Sequence, residues 1–135
     1  MDLMDSLAIS AAGMRVQGER LRVISENMAN ADSVSERPGG DPYRRKTITF
    51  QNTLDREMGV DLVKVKKVGL DPSEFTRKYD PNNPAADKTG YVKLPNVNAL
   101  IEMNDMREAQ RSYEANLKVI ETARGMLQRT IDLLR

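Results

Sequence analysis

The chain has 135 residues, the size of a single domain, and its 21 basic and 20 acidic side chains leave a net charge of +1. This balance argues against nucleic acid and acidic membranes as partners. The absence of Cys and His excludes disulfides and thiolate chemistry, and it removes the commonest general base and transition-metal ligand.

The first predicted element is an amphipathic helix over about residues 2–31, with Asp2 and Asp5 suited to its N-terminal cap. Heptad spacing places its side chains in two adjacent, mostly apolar rows. The apolar members are Leu3, Leu7, Met14, Leu21, Ile24 and Met28, and the polar ones are Ser10 and Gln17. The simplest interpretation is a helix that covers a core in its own chain, although the polar centre of the sequence offers little core material.

Residues 32–96 hold all six prolines and predict a small β-rich insertion. A mobile loop is expected first, at residues 33–42. Four strands are predicted after it, at residues 43–50, 60–68, 75–79 and 91–94. A turn-rich stretch at residues 80–90 joins the last two strands.

Two polar clusters in the insertion resemble binding sites. Arg44, Arg45 and Lys46 form a basic run, which we interpret as a solvated strand edge or a protein-contact patch because stacking aromatics are scarce. Residues 80–87 lack the ligand spacing of an EF-hand, so we interpret them as a turn. No phosphate loop, nucleophile elbow or paired-carboxylate motif occurs. The sequence therefore predicts no catalytic, cofactor-binding or metal-binding residue, and a protein that is not an enzyme.

The longest predicted element is a helix over residues 98–134, which contains no Pro and only one Gly, Gly125. At about 1.5 Å per residue it would be roughly 55 Å long. Its two heptad rows are apolar or aromatic except at Gln110 and Arg124. The apolar and aromatic members are Met103, Met106, Tyr113, Leu117, Ile120, Leu127, Ile131 and Leu134.

These elements predict an α+β chain in which the terminal helices pair as an antiparallel coiled coil. Residues 1–31 with 97–135 would form a helical domain, and residues 32–96 a β-rich insertion domain. For any two residues that face each other across the helix pair, the two residue numbers would then add up to about 128. The apolar rows of both helices are the predicted assembly interface.

The polar interruptions of the rows have two interpretations. Gln17 and Gln110 either face solvent, or they meet within a subunit or across neighbouring subunits and prevent the helices from slipping. A buried polar pair would fix the register because only one alignment supplies both partners.

Several stretches, in chain order and over nearly the whole chain, resemble one family, the flagellar rod and hook axial proteins. The residues 25–31 (SENMANA) at the end of the first helix resemble the N-terminal motif of that family. Further stretches resemble its small proximal-rod members: DPYRRKTITF at 41–50, YDPNNPAADKTGYV at 79–92, LPNVNALIEMNDM at 94–106 and RSYEAN at 111–116.

The resemblance implies a structural subunit of the proximal rod. Members of the family are exported without a cleaved signal peptide by the flagellar type III apparatus and polymerise helically in the periplasm. Their terminal helices line an export channel, and the rod carries motor torque to the hook. Expected partners are further copies of the chain, other proximal-rod subunits, the distal-rod protein, the rod-to-MS-ring adaptor and the export apparatus, with no nucleic acid and no membrane insertion.

The alternative function is a self-contained helical adaptor or a component of a secretion apparatus. Polymerisation, or purification with flagellar basal bodies, distinguishes the rod subunit from this alternative.

Overall fold

A computed structural model describes residues 2–135. Two long helices flank four strands, which confirms the predicted α+β architecture. The elements in chain order are α1 (Leu3–Ala29), β1 (Lys46–Asp55), β2 (Val60–Leu70), β3 (Thr76–Tyr79), β4 (Tyr91–Leu94) and α2 (Ala99–Leu133).

Both helices begin at side-chain caps. At the start of α1, the Asp2 N–H donates to Asp5 Oδ2 at 2.7 Å and the Leu3 N–H donates to Asp2 Oδ1 at 2.6 Å. At the start of α2, Asn98 Oδ1 accepts from the N–H groups of Leu100 and Ile101 at 3.0 and 3.4 Å. These contacts satisfy amides that have no partner inside a helix, so the predicted capping role of Asp2 and Asp5 is confirmed.

The helices pair antiparallel, as the sequence predicts. Arg20 Nη2 lies 3.1 Å from Glu108 Oε2, and Asn27 Nδ2 lies 3.2 Å from Glu102 Oε2. A third contact brings Gly13 so close to Asn116 that a Cβ atom on the glycine would lie 2.8 Å from the amide nitrogen. The residue numbers of these three pairs add up to the predicted value within one. The predicted register is therefore confirmed.

The four strands form two separate two-stranded sheets. β1 and β2 are a hairpin whose turn is closed by a bond from the Gly59 N–H to the Asp55 carbonyl at 2.8 Å, and Gly59 has a φ of +67°. β3 and β4 are antiparallel, with Tyr79 opposite Tyr91. β1 begins at Lys46 and not at Tyr43 as predicted, because side chains take up hydrogen-bonding groups of the residues before it. The Arg45 N–H, for example, donates to Asn96 Oδ1 at 2.8 Å.

The contacts divide the chain into two compact units, and each contains stretches of both helices and of the segment between them. The first unit comprises residues 2–21, 49–67 and 107–135, and the second comprises residues 22–48 and 68–106. The buried apolar residues of the first unit are Ala12, Val16, Ala109 and Ala123; those of the second are Val23, Ile24, Ala85 and Val92. The division into a helical domain and an insertion domain stays a prediction.

Candidate assembly interface

The predicted interface residues differ in their exposure, from buried through half-buried to exposed. On α1, Ile24 is buried within the chain, and the others are half-buried: Leu3, Leu7, Met14, Leu21 and Met28. On α2, Met106, Tyr113 and Ile120 are half-buried. The exposed ones are Met103, Leu117, Leu127, Ile131 and Leu134. The exposed group is the one that a neighbouring molecule can reach.

Small side chains, and not the large apolar row, form the innermost side of α2. Ala109 and Ala123 are buried, and Asn116, one heptad from each, lies against Gly13. The distance between packed helices depends on the side chains at the contact, so small residues allow the close approach seen here. Close packing on this side turns Met103 and Leu117 towards the surface.

The last turns of α2 expose large apolar side chains on more than one face. Seven of them within residues 117–134 are between 39% and 87% exposed: Leu117, Val119, Met126, Leu127, Ile131, Leu133 and Leu134. Val119, Met126 and Leu133 form a third heptad row, which the sequence analysis missed although its spacing was visible. Large exposed apolar patches are typical of interaction sites, so these side chains form the candidate assembly surface.

An apolar groove lies beside these rows in the first unit. Its volume is about 530 Å³, and it is lined by the start of α1 (Leu3 and Ser6) and by the stretch of α2 that includes Val119 and Met126. In the observed register, Leu3 at the start of α1 faces the neighbourhood of Met126. The last two turns of α2 therefore extend past the described start of α1.

The predicted pairing of Gln17 with Gln110 is not formed within the subunit. Gln110 is exposed, and Gln17 Oε1 is buried without a hydrogen-bond partner among residues 2–135. Gln110 belongs to the same heptad row as Met103 and Leu117, which close packing turns outward. The predicted contact with Gln17 within the subunit is therefore not made. A contact between these residues across neighbouring subunits stays a prediction.

The second unit contains a buried polar cluster built around Asn27 and Glu102, which are 1% and 0% exposed. Asn27 Nδ2 donates to the Lys46 carbonyl at 2.9 Å and to Glu102 Oε2 at 3.2 Å. Asn27 Oδ1 accepts from the Tyr43 hydroxyl at 2.9 Å and from the Lys46 N–H at 2.8 Å. The amide thus uses two donor and two acceptor positions, which is its full capacity.

Ion pairs extend this cluster through the basic run. Arg45 Nε donates to Glu102 Oε1, and the same guanidinium lies 3.4 Å from an oxygen of Asp71 and 3.8 Å from one of Asp105. Burial opposes the charge of Arg45, but the hydrogen bonds and charges of Glu102 and Asp71 together outweigh it, so the pKa of Arg45 is raised. The interpretation of the basic run as a solvated edge or contact patch is therefore wrong for Arg45.

Lys46 completes the run with its own ion pair. Its Nζ lies 2.7 Å from Glu26 Oε2, and this hydrogen bond raises the pKa of Lys46 and lowers the pKa of Glu26. Glu26 and Asn27 come from the motif at residues 25–31, and Arg45 and Lys46 from the motif at residues 41–50. Because Glu102 belongs to a third motif, at residues 94–106, the cluster is where three motifs of the family resemblance meet.

The turn between β3 and β4 is held by Asp87. Its Oδ1 accepts from the N–H groups of Thr89 and Tyr91 at 2.8 and 3.0 Å, so the prediction of a turn is confirmed. Across residues 2–135, no group of three or more acidic side chains is placed to hold a metal ion. None of the helices described has the length and apolar character needed to cross a membrane.

Comparison with known proteins shows which family this chain resembles. The model of the family described as flagellar basal body rod FlgEFG protein C-terminal matches residues 88–133, which span β4 and α2. The flagellar basal-body rod protein FlgC of Agrobacterium fabrum is 59% identical over 127 residues, which cover 94% of this chain and 91% of that protein. This chain belongs to the FlgC family of flagellar basal-body rod proteins.

More distant FlgC proteins match as completely. That of Salmonella typhimurium is 40% identical over 135 residues, covering 98% of each chain. That of Borreliella burgdorferi is 38% identical over 153 residues, covering all of this chain and 99% of the other. The resemblance to flagellar rod proteins is thus confirmed, and the exposed rows of α2 lie in the segment that the rod-family model matches.

Proposed function

We propose that this FlgC-family chain is a structural subunit of the proximal rod in the flagellar basal body. In this proposal it polymerises helically through α1 and α2, encloses the export channel and transmits motor torque to the hook. The names of its relatives support a basal-body rod protein. Helical polymerisation and the transmission of torque go beyond those names and are the part that we propose.

The observation that carries the proposal is the exposed apolar surface of residues 117–134. These seven side chains occupy three heptad rows, one on one side of the buried Ala109–Ala123 row that faces α1 and two on its other side, so one partner helix does not cover them. Pairing with α1 leaves the rows uncovered, so α2 needs at least one more helix to bury them. An open helical polymer supplies such helices, because each subunit presents one surface to the next subunit and a different one to the previous subunit.

The proposed partners follow from this position. They are further copies of the chain, other proximal-rod subunits, the distal-rod protein and the rod-to-MS-ring adaptor. The chain would reach the periplasmic rod through the flagellar type III export apparatus, without cleavage of a signal peptide. No enzymatic activity is part of the proposal.

The substitution Leu117→Glu tests the exposed rows. Leu117 is on the surface of the subunit, so the variant should fold and be exported normally, with an unchanged circular dichroism spectrum. A charge inside a buried helix contact is strongly unfavourable, so we expect at least about tenfold fewer copies per isolated basal body and loss of swimming. Immunoblots of purified basal bodies and soft-agar motility measure both effects.

Asn104→Glu is the matched control, because it adds the same charge to an exposed, polar position of the same helix. It should leave incorporation and swimming within about twofold of the wild type. Normal incorporation of the Leu117→Glu variant would contradict the proposal. If the wild-type chain itself is missing from the rod fraction, the adaptor or secretion-apparatus function replaces the rod function.

A further inference from the structure

The β3–β4 sheet presents a face that contains two cations and two tyrosines. Because side chains alternate along a strand, Arg77 and Tyr79 of β3 share this outer face with their register partners Lys93 and Tyr91 of β4. The opposite face carries Val92, which is buried. Tyr79 and Tyr91 are 63% and 43% exposed, and their rings meet edge to face with centroids 5.3 Å apart.

Arg77 and Lys93 stand directly opposite each other, which is unfavourable for a sheet because like charges repel. Lys93 is partly compensated by Asp41, whose Oδ1 lies 3.0 Å from the lysine Nζ. The Arg77 side chain forms no hydrogen bond or ion pair within residues 2–135, although its charge acts on the nearby Asp87. The cross-strand pair with Lys93 therefore does not explain why an arginine stands at position 77.

A third cation lies beside the outer face in a fixed orientation. Arg44 Nη1 donates to the carbonyls of Asp71 and Ser73 at 2.8 and 3.0 Å, and the guanidinium lies 4.3 Å from the centroid of the Phe75 ring. No partner within the described chain takes the N–H groups on its Nε and Nη2. A guanidinium held in place with free N–H groups is prepared to bind a carboxylate without further loss of side-chain freedom.

These cations line one pocket of about 330 Å³. Arg44, Arg77 and Lys93 contribute the positive charges, and Asp41 and Glu74 contribute two negative charges. The two carboxylates oppose a polyphosphate ligand such as nucleic acid. The net positive charge and the exposed tyrosines instead suit a protein segment that carries one carboxylate next to an apolar side chain.

We propose that the outer face of the β3–β4 sheet binds a segment of a neighbouring basal-body protein that presents an Asp or Glu beside an apolar residue. Arg44 and Arg77 bind the carboxylate, and Tyr79 and Tyr91 pack against the apolar residue. Arg and Tyr are the residue types that most often dominate the affinity of protein interfaces. This inference rests on the proposed rod function for the identity of the neighbour.

Arg77→Glu tests the inference, and Lys78→Glu is its matched control. Both variants make the same change of charge in adjacent residues of one exposed strand, but Lys78 points away from the outer face. We expect Arg77→Glu to lower the number of copies per purified basal body about tenfold, and Lys78→Glu to leave it within about twofold. Arg77→Gln, which removes the charge without reversing it, should have a smaller effect in the same direction.

The stability of the purified variants separates binding from folding. Arg77→Glu replaces the repulsion from Lys93 with an attraction and the attraction to Asp87 with a repulsion, so its thermal midpoint should stay close to that of the wild type. Motile revertants of this variant should carry Asp or Glu to Lys or Arg changes in another basal-body protein.

Two results would overturn the inference: normal incorporation of Arg77→Glu, or an equal loss in Lys78→Glu. Both are distinct from failure of the rod function, in which the wild-type chain itself is absent from basal bodies.

Discussion

Glu102 is the residue whose environment most constrains the second unit. Its carboxylate is fully buried, and a buried charge is tolerated only when it is paired and hydrogen-bonded. Arg45 and Asn27 supply these partners, one from the segment before β1 and one from α1. The pair of helices and the segment before β1 are thereby tied to each other at one carboxylate.

Replacement of Glu102 by Gln should destabilise the protein although the side chain keeps its shape. The change leaves Arg45 without its shortest charged contact, so we expect the free energy of unfolding to fall by about 2–3 kcal/mol. Urea denaturation followed by circular dichroism measures this loss. Glu108→Gln removes the exposed partner of Arg20 and should cost less than about 1 kcal/mol. Equal effects of the two substitutions would show that the buried Glu102–Arg45 ion pair contributes no more to the free energy of unfolding than the exposed Glu108–Arg20 pair.

At the scale of elements, the close approach of α1 and α2 depends on a glycine in the middle of a helix. Gly13 lies against the Asn116 amide, whose Nδ2 donates to the Ser112 carbonyl at 3.0 Å. Glycine lowers helix stability relative to alanine, so its presence at this position is explained by the space that it leaves. Gly18, five residues on, offers a comparison, because a methyl group added there would meet no atom within 4 Å.

Gly18→Ala should therefore stabilise the protein by about 0.5–1 kcal/mol through helix propensity alone. Gly13→Ala should not, because its methyl group would displace the Asn116 side chain. Combining Gly13→Ala with Asn116→Ala should restore the missing stabilisation, and a double-mutant cycle in urea measures the coupling. An equal gain from the two single glycine substitutions would mean that Gly13 and Asn116 do not limit the approach of the helices.

At the scale of the whole molecule, the chain pairs its helices but leaves the last turns of α2 uncovered. The described α1 begins at Leu3, and the α2 residues beyond Met126 have no α1 residue opposite them in the observed register. The most exposed large apolar side chains here are Leu133, the last residue of α2, and Leu134 directly after it. Local stability should be lowest where apolar contacts are fewest.

Hydrogen exchange should resolve this difference along α2. In a monomer verified by ultracentrifugation, amides of residues 127–133 should exchange much faster than those of residues 109–123, which face α1. In isolated basal bodies both segments should be protected, because neighbouring helices would cover the exposed rows. Strong protection of residues 127–133 in the monomer would contradict the view that this part of α2 is stabilised only when neighbouring subunits cover it.

Local patterns in the sequence were enough to predict the type and order of the elements and the register of the two helices. Heptad spacing defined both helices, Pro and Gly delimited the strands, and antiparallel pairing across the insertion set the facing positions. These features depend on residues close together in the chain or on simple counting along two helices. The stretches that identify the family were likewise readable directly.

The tertiary structure was needed to show which helix row is innermost and where the polar side chains go. Periodicity shows which residues share a face, but Ala109 and Ala123 displaced the larger row because small side chains allow closer packing. Asn27 and Glu102 are 75 positions apart, so their bond depends on the folded chain and not on any local pattern. The same holds for Arg44 and Arg77, because only the pairing of β3 with β4 and the packing of Phe75 bring their charges to one face.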